Sequence, residues 1–310
     1  NLIEHNMLIK KPSKNHQLQI KPYISTFFNL FFKLTGNEKL MNSAQHKYKI
    51  GVRRFGAINW IGFYTLYLKE VQRFFNVWLQ TIVSPLVTLL LFLAVFSLAI
   101  GSDRSEVLGH KFTTFLVPGL IAMQIMQNAF ANTTSSLMIS KIQGNIVDIL
   151  YPPLSAGEVT FAIILGGITR GLVVGFFSIL VSLIFIKVPF NHIFYVVSFA
   201  TLGSCFLSSL GFIAGLWAEK FDNMAAVTNF VVIPLSFLSG TFFSINRLDG
   251  PLYTLSQFNP FFYIIDGFRF GFLGQSDANI YNGLIILLIC NAFLLAVCYL
   301  LFKKGYKIKF

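Results

Sequence analysis

Charge is scarce in this sequence. Of 310 residues only 12% are Asp, Glu, Lys or Arg, while 55% are apolar. Soluble domains carry about 25% charged residues, so water is not the solvent for most of this chain. Acids are scarcest, 12 against 24 Lys and Arg. Cysteine is nearly absent: Cys205, Cys290 and Cys298 all lie in apolar runs, and without a CxxC pair they form neither a disulfide framework nor a zinc site. The five histidines are scattered without metal spacing. No GxxxxGK[ST] phosphate loop occurs, so energy from a nucleotide has to come from another chain. No His, Asp, Glu, Ser and Cys cluster at one depth suggests a membrane enzyme. The polar, basic first 22 residues contain no apolar core of the secretory kind.

What the chain has in quantity is long apolar runs. A helix needs about 20 apolar residues to cross the hydrocarbon core. Six runs qualify, near 81–100, 113–134, 160–186, 193–217, 225–244 and 281–302. The expected fold is an all-α integral membrane protein. Cations avoid the runs and gather at their ends, which favours a basic membrane face over a nucleic-acid partner. Ten Lys and Arg precede residue 57. Lys69, Arg73, Lys141, Lys220, Lys303, Lys304, Lys307 and Lys309 fall on the same side if both termini are cytoplasmic, against Arg104, Lys111, Lys187, Arg247 and Arg269 outside. The excess of inner cations predicts N-in, C-in orientation in a plasma (inner) membrane.

Residues 1–56 read as a basic, poorly ordered extension before a domain spanning 57–310, with Met41 a candidate natural start. Residues 59–80 combine aromatics at helical spacing with Lys69, Glu70 and Arg73, which suggests a helix lying in the membrane interface. Residues 140–159 read as a short amphipathic helix with Ile142, Ile146, Ile149 and Leu150 on one stripe, ended by Pro152-Pro153. Such a helix can lie on lipid or fit a groove on a soluble partner.

Within the third run, Gly167, Gly171 and Gly175 are four apart and share one helix face, a groove for close helix approach. Either intrachain packing or a dimer contact accounts for it. Arg170 interrupts the same run about 9–10 Å from the inner hydrocarbon edge, counting 1.5 Å per residue. It either snorkels, a structural role, or faces a polar pathway or interface. No acid occupies an obvious membrane position to pair with it; Glu158 or an acid on another chain is the nearest candidate. Between runs five and six the apolar pieces are too short to cross and are cut by glycines and prolines, which suggests a re-entrant helical pair, either a plug or a gate. Asp266 and Arg269, three apart, are placed to pair.

Three stretches carry a resemblance: "KIQGNIVDILYPPL" followed by "GGITRGL", "AEKFDNMAAVTNFVVIPLSFLSGTFFSI", and "FNPFFYIIDGFRFGFLG". Through them residues 57–310 resemble permease subunits of the ABC-2 exporter family. The resemblance implies six transmembrane helices, an interfacial N-terminal helix and a re-entrant pair before span six. It also implies a homodimer that binds two separate ABC ATPase subunits, with ATP on the partner and no cofactor in this chain. Gln143, Asn145, Ile146, Asp148 and Leu150 would then form the ATPase coupling segment. Arg170 and the glycine groove would lie on the pathway or an interface, and Asn259, Pro260, Asp266 and Arg269 in the re-entrant segment. An ion-coupled secondary transporter is the alternative; it predicts ionisable residues at the membrane midplane and an inverted repeat.

Overall fold

The computed structural model describes residues 58–100, 106–186, 188–248 and 250–308. The expected N-terminal extension, residues 1–56, lies outside them. Among the described residues six helices are long and apolar enough to cross a membrane: Leu79–Leu98, Phe112–Ile142, Ala156–Phe185, Ile193–Trp217, Phe221–Leu238 and Ile280–Lys303. All six expected runs are therefore helical over most of their length, the fifth only to Leu238.

Helix α1 (Trp60–Phe75) precedes a π-helical turn at Leu79–Val83 and α2 (Ser84–Ile100). A two-residue hairpin, β1 (Glu106–Val107) with β2 (His110–Lys111), leads to α3 (Phe112–Ile142). The one-turn α4 (Ile146–Leu150) is followed by α5 (Ala156–Phe185) and α6 (Ile193–Trp217). Span five is α7 (Phe221–Val227), a second π turn and α8 (Ile233–Leu238). Then come α9 (Pro251–Phe258), α10 (Pro260–Leu273) and α11 (Ile280–Lys303). Span five stops six residues short of the expected 244. Gly240 turns the chain with φ +77 inside what reads as apolar sequence.

Helix α3 is the axis of the bundle. Its most apolar window is 83% buried, against 17% for α11, although it is the more polar of the two. It packs against α5, α6 and α10. Glycines make this possible. At Gly171 an added Cβ would sit 3.0 Å from the Ile125 carbonyl oxygen, and at Gly175 it would sit 2.6 Å from the Ile125 side chain. Gly167 meets Thr133 and the Ala129 carbonyl. On α6, Gly211 and Gly215 meet Phe130, Thr134 and Leu137. Two small-residue stripes from neighbouring helices thus close on α3 within one chain. This is close backbone packing of the kind that holds membrane helices together without a hydrophobic driving force. Filling the stripe should loosen the bundle. Gly211→Val would push a branched side chain against the Phe130 carbonyl, 2.6 Å from its Cβ. Overpacking of this kind costs about 1–3 kcal/mol. A lowered thermal midpoint in detergent is expected, while Gly157→Ala, whose Cβ meets nothing nearer than 3.8 Å, should match wild type.

The two ends of the bundle are tied separately. At one, Asn59 N donates to Glu158 Oε1 (2.6 Å) and Lys141 Nζ to the carbonyls of Leu216 (2.7 Å) and Ala218 (2.6 Å). Lys307 there pairs with Glu219 at 2.8 Å, which draws the Glu219 carboxyl below and the Lys307 ammonium above their usual ranges. The start of α1 and the end of α11 therefore share one end with α4.

Candidate functional site

Three places concentrate polar or exposed features. The first is the α4 end. Gly144, with φ +75, breaks α3 from α4. Pro152 and Pro153 follow α4, and Ser155 begins α5 with a capping box: its Oγ accepts from Glu158 N at 3.3 Å and its N–H donates to Glu158 Oε2 at 2.6 Å. Ile146 and Ile149 point inward against Leu137, Phe212 and Phe302. Ile142, Val147, Leu150 and Tyr151 are exposed, Tyr151 to 88%. The single isoleucine stripe expected from sequence is therefore divided, because Ile142 is the last residue of α3 and lies on its outer side. Gln143, Asn145 and Asp148 are exposed among these apolar groups, with Asn145 Nδ2 donating to Gln143 Oε1 at 3.1 Å. Four apolar and three polar side chains are thus exposed along residues 142–151.

The second place is the junction of α1, α3 and α5. The charged residues of α1 divide: Lys69 is exposed, while Glu70 and Arg73 turn toward α3. Glu70 is 1% exposed, while Trp60, Ile61, Tyr64 and Phe75 face out. Gly166 permits this approach, since a Cβ there would lie 2.6 Å from Glu70 Cβ. Ser136 Oγ donates to Glu70 Oε1 at 2.7 Å, and Arg73 pairs with Oε2 at 3.2 Å. Arg73 also donates to Asn132 O (2.7 Å), Asn132 Oδ1 (2.9 Å) and Ser135 Oγ (3.1 Å). Arg170 reaches the same helix one turn away, donating to Asn128 Oδ1 at 3.3 Å. Its neighbour is an amide rather than Glu158, both of whose oxygens hold the starts of α1 and α5. Asn128, Asn132 and Ser136 receive these groups; with Gln124 they are spaced four residues apart and so lie on one face of α3. That spacing is visible in "QIMQNAFANTTSS" and is the signal that locates the site; the burial of Glu70 has no such signal in its own segment. The glycine stripe beside Arg170 faces α3 and α6 of the same chain.

The third place is the far end. Asp266 and Arg269 do not pair with each other. Asp266 accepts from the backbone N–H groups of Asp277 (2.9 Å) and Ala278 (3.1 Å). Arg269 donates to the Gly240 carbonyl at 2.6 Å and stacks over Phe115, 3.9 Å from the ring centre. Being 1% exposed, it belongs to the core and leaves the list of outer loop cations. Asn259 caps α10 by accepting from Phe261 N at 3.1 Å, and its amide donates to Leu235 O and Ser239 Oγ. Pro260 starts α10, where its missing N–H costs nothing. Asp277 gathers Ser244, the Ile245 N–H and Asn246, beside a cleft of about 240 Å³ lined by Tyr253, Gln257, Tyr263 and Asn282 among others.

None of these places assembles a nucleophile, base and oxyanion donors. They form a face, a buried charge cluster and a clamped segment in a six-span bundle. Known proteins resemble this sequence. A family model described as "ABC-2 type transporter" matches residues 62–273, from α1 to the end of α10. Over 246 residues the chain is 33% identical to the inner membrane transport permease YadH of Escherichia coli strain K12, which covers 79% of this chain and 96% of that protein. Over 253 residues it is 23% identical to nodulation protein J of Rhizobium leguminosarum bv. viciae, covering 79% and 95%. With six membrane-length helices and a match that runs through five of them and both short helices before the last, this chain belongs to the ABC-2 type transporter family.

Proposed function

We propose that the chain is the membrane-spanning permease subunit of an ATP-driven exporter of the inner membrane. It forms the translocation pathway as a homodimer and binds two separate ATPase chains, which bind and hydrolyse the ATP. Both termini face the cytoplasm. Helix α1 lies at the cytoplasmic interface, and α9 with α10 enters the membrane from the outside and returns. The observation that carries this reading is the α4 face. Exposed Ile142, Val147, Leu150 and Tyr151 surround Gln143, Asn145 and Asp148 at the end where Lys220, Lys303 and Lys304 also lie. A cationic end belongs on the cytoplasmic side, and an exposed apolar turn there marks a protein contact. The rigid anchoring of α4 by Ile146 and Ile149 lets a push on this face reach α3 and α5. The ion-coupled alternative needs an ionisable group able to exchange ions, whereas Glu70 is engaged by Arg73 and Ser136.

Affinity purification from membranes tests the reading. The tagged permease is expected to retain an ABC ATPase, and a label at Asn145 should react only from the cytoplasmic side. A permease that never retains a nucleotide-binding chain would overturn it.

A further inference from the structure

The junction of α1, α3 and α5 holds three charged side chains, Glu70, Arg73 and Arg170, with a net charge of +1. Glu70 is satisfied by Arg73 and Ser136. Arg170 has one 3.3 Å hydrogen bond, to a neutral amide, and its Nε is buried without a partner. Asn132, fully buried, has an Nδ2 that is likewise buried and unbonded. Asn128 and Asn132, which meet the two arginines, are four residues apart on α3, about 6 Å along its axis. Two guanidiniums and an idle amide donor therefore converge with one positive charge uncompensated. A half-buried charge without a counter-ion is costly, and idle buried donors call for an absent group that accepts hydrogen bonds.

We propose that this junction binds a monoanionic phosphodiester, the headgroup phosphate of an acidic membrane lipid. A single negative charge neutralises the cluster, and guanidiniums suit phosphate because their forked N–H groups match its oxygens. Asn132 lies ten residues from the end of α3, about 15 Å. Centred in a roughly 30 Å core, the 31-residue α3 overhangs it by about 8 Å at each end, so the cluster sits about 7 Å below the hydrocarbon edge. A headgroup reaches this depth by being drawn inward, as local bilayer thinning around an arginine in the membrane allows. The outer face of α1 carries exposed Trp60 and Tyr64, and Trp78 follows it, the residue types that settle at headgroup level. Arg73, with 28% of its side chain exposed, opens the cluster to that surface.

The test uses the full chain, stripped of lipid in a neutral maltoside detergent and titrated with phosphatidylglycerol or phosphatidylcholine. Binding is read by native mass spectrometry and thermal midpoint. One phosphatidylglycerol per chain should bind about tenfold or more tightly than phosphatidylcholine, whose phosphodiester is the same but whose choline cation restores the positive charge that the phosphate would neutralise, a difference of about 1.4 kcal/mol. Arg170→Gln should abolish that preference, Arg170→Lys should keep part of it, and Lys304→Gln should leave it unchanged. Asn128→Asp supplies the missing negative charge from within. It should raise the midpoint without lipid and remove the response to phosphatidylglycerol, so the idea stays testable if Arg170→Gln fails to fold. Inorganic phosphate is the second arm. If it alone stabilises wild type, and not Arg170→Gln, the anion site stands and its source is a soluble phosphate compound. Equal binding of the two lipids with no phosphate response, or wild-type phosphatidylglycerol binding by Asn128→Asp, overturns the proposal. Failure to retain an ATPase has no bearing on these outcomes.

Discussion

Arg269→Met is expected to lower stability by about 2–4 kcal/mol, the cost of leaving a buried carbonyl without its donor and losing a desolvated cation–π contact. The side chain does three things at once. It satisfies the Gly240 carbonyl at a positive-φ turn, it lies over the Phe115 ring, and its guanidinium fills the space against Gly119, reaching 3.0 Å from where a Cβ would stand. Methionine replaces part of the volume but leaves the Gly240 oxygen without its donor. Asp266 also loses its nearby cation, so its two backbone hydrogen bonds from Asp277 and Ala278 must hold a buried carboxylate alone. Arg269→Lys keeps the charge without the planar fork and should lie between. Fluorescence-detected size exclusion and a thermal ramp measure this directly. A methionine variant as monodisperse and heat-stable as wild type would show that α10 is held by its phenylalanines instead.

This clamp is where sequence reasoning went astray, and the reason is geometric. Positions 266 and 269 do share a helix face, so an ion pair is a sound local inference. Two distant turns outcompete it: the Gly240 turn offers a carbonyl and residues 277–278 offer N–H groups, each separated from α10 by a loop. The same limit explains Glu70 and Arg73. On an isolated amphipathic helix their charges belong outside, but α1 lies against α5 and finds partners on α3. Only the pairing of "GG" at 166–167 with the four-residue polar ladder of α3 hints at this, and the hint requires knowing which helices touch. By contrast, the six spans, the stop at Pro152-Pro153 and the tight glycine packing follow from length, hydropathy and spacing, which are properties of one segment at a time. Span five ended early because Gly240 and its turn are apolar enough to pass for membrane sequence.

The double substitution Val147→Asp, Leu150→Asp should abolish retention of the ATPase while leaving the permease folded. Both side chains are exposed, so neither charge has to enter the core. The anchors of α4, Ile146 and Ile149, are untouched, and the Asp148 N–H still bonds the Asn145 carbonyl at 3.0 Å. Against a partner, two carboxylates would replace the apolar centre of the contact and lie desolvated beside Asp148. A loss of affinity of about a hundredfold or more is expected, since truncating or charging the centre of an interface costs about 2–4 kcal/mol. Tyr151→Ala, which removes the most exposed apolar group of the turn, should give a smaller loss in the same direction. The measurement pairs pull-down of the ATPase with the thermal midpoint of the permease alone. An unchanged midpoint with lost retention assigns the α4 face to docking. Retention at wild-type level with both aspartates present would move the contact elsewhere on that end, to the 218–222 turn or the lysine-rich end of α11.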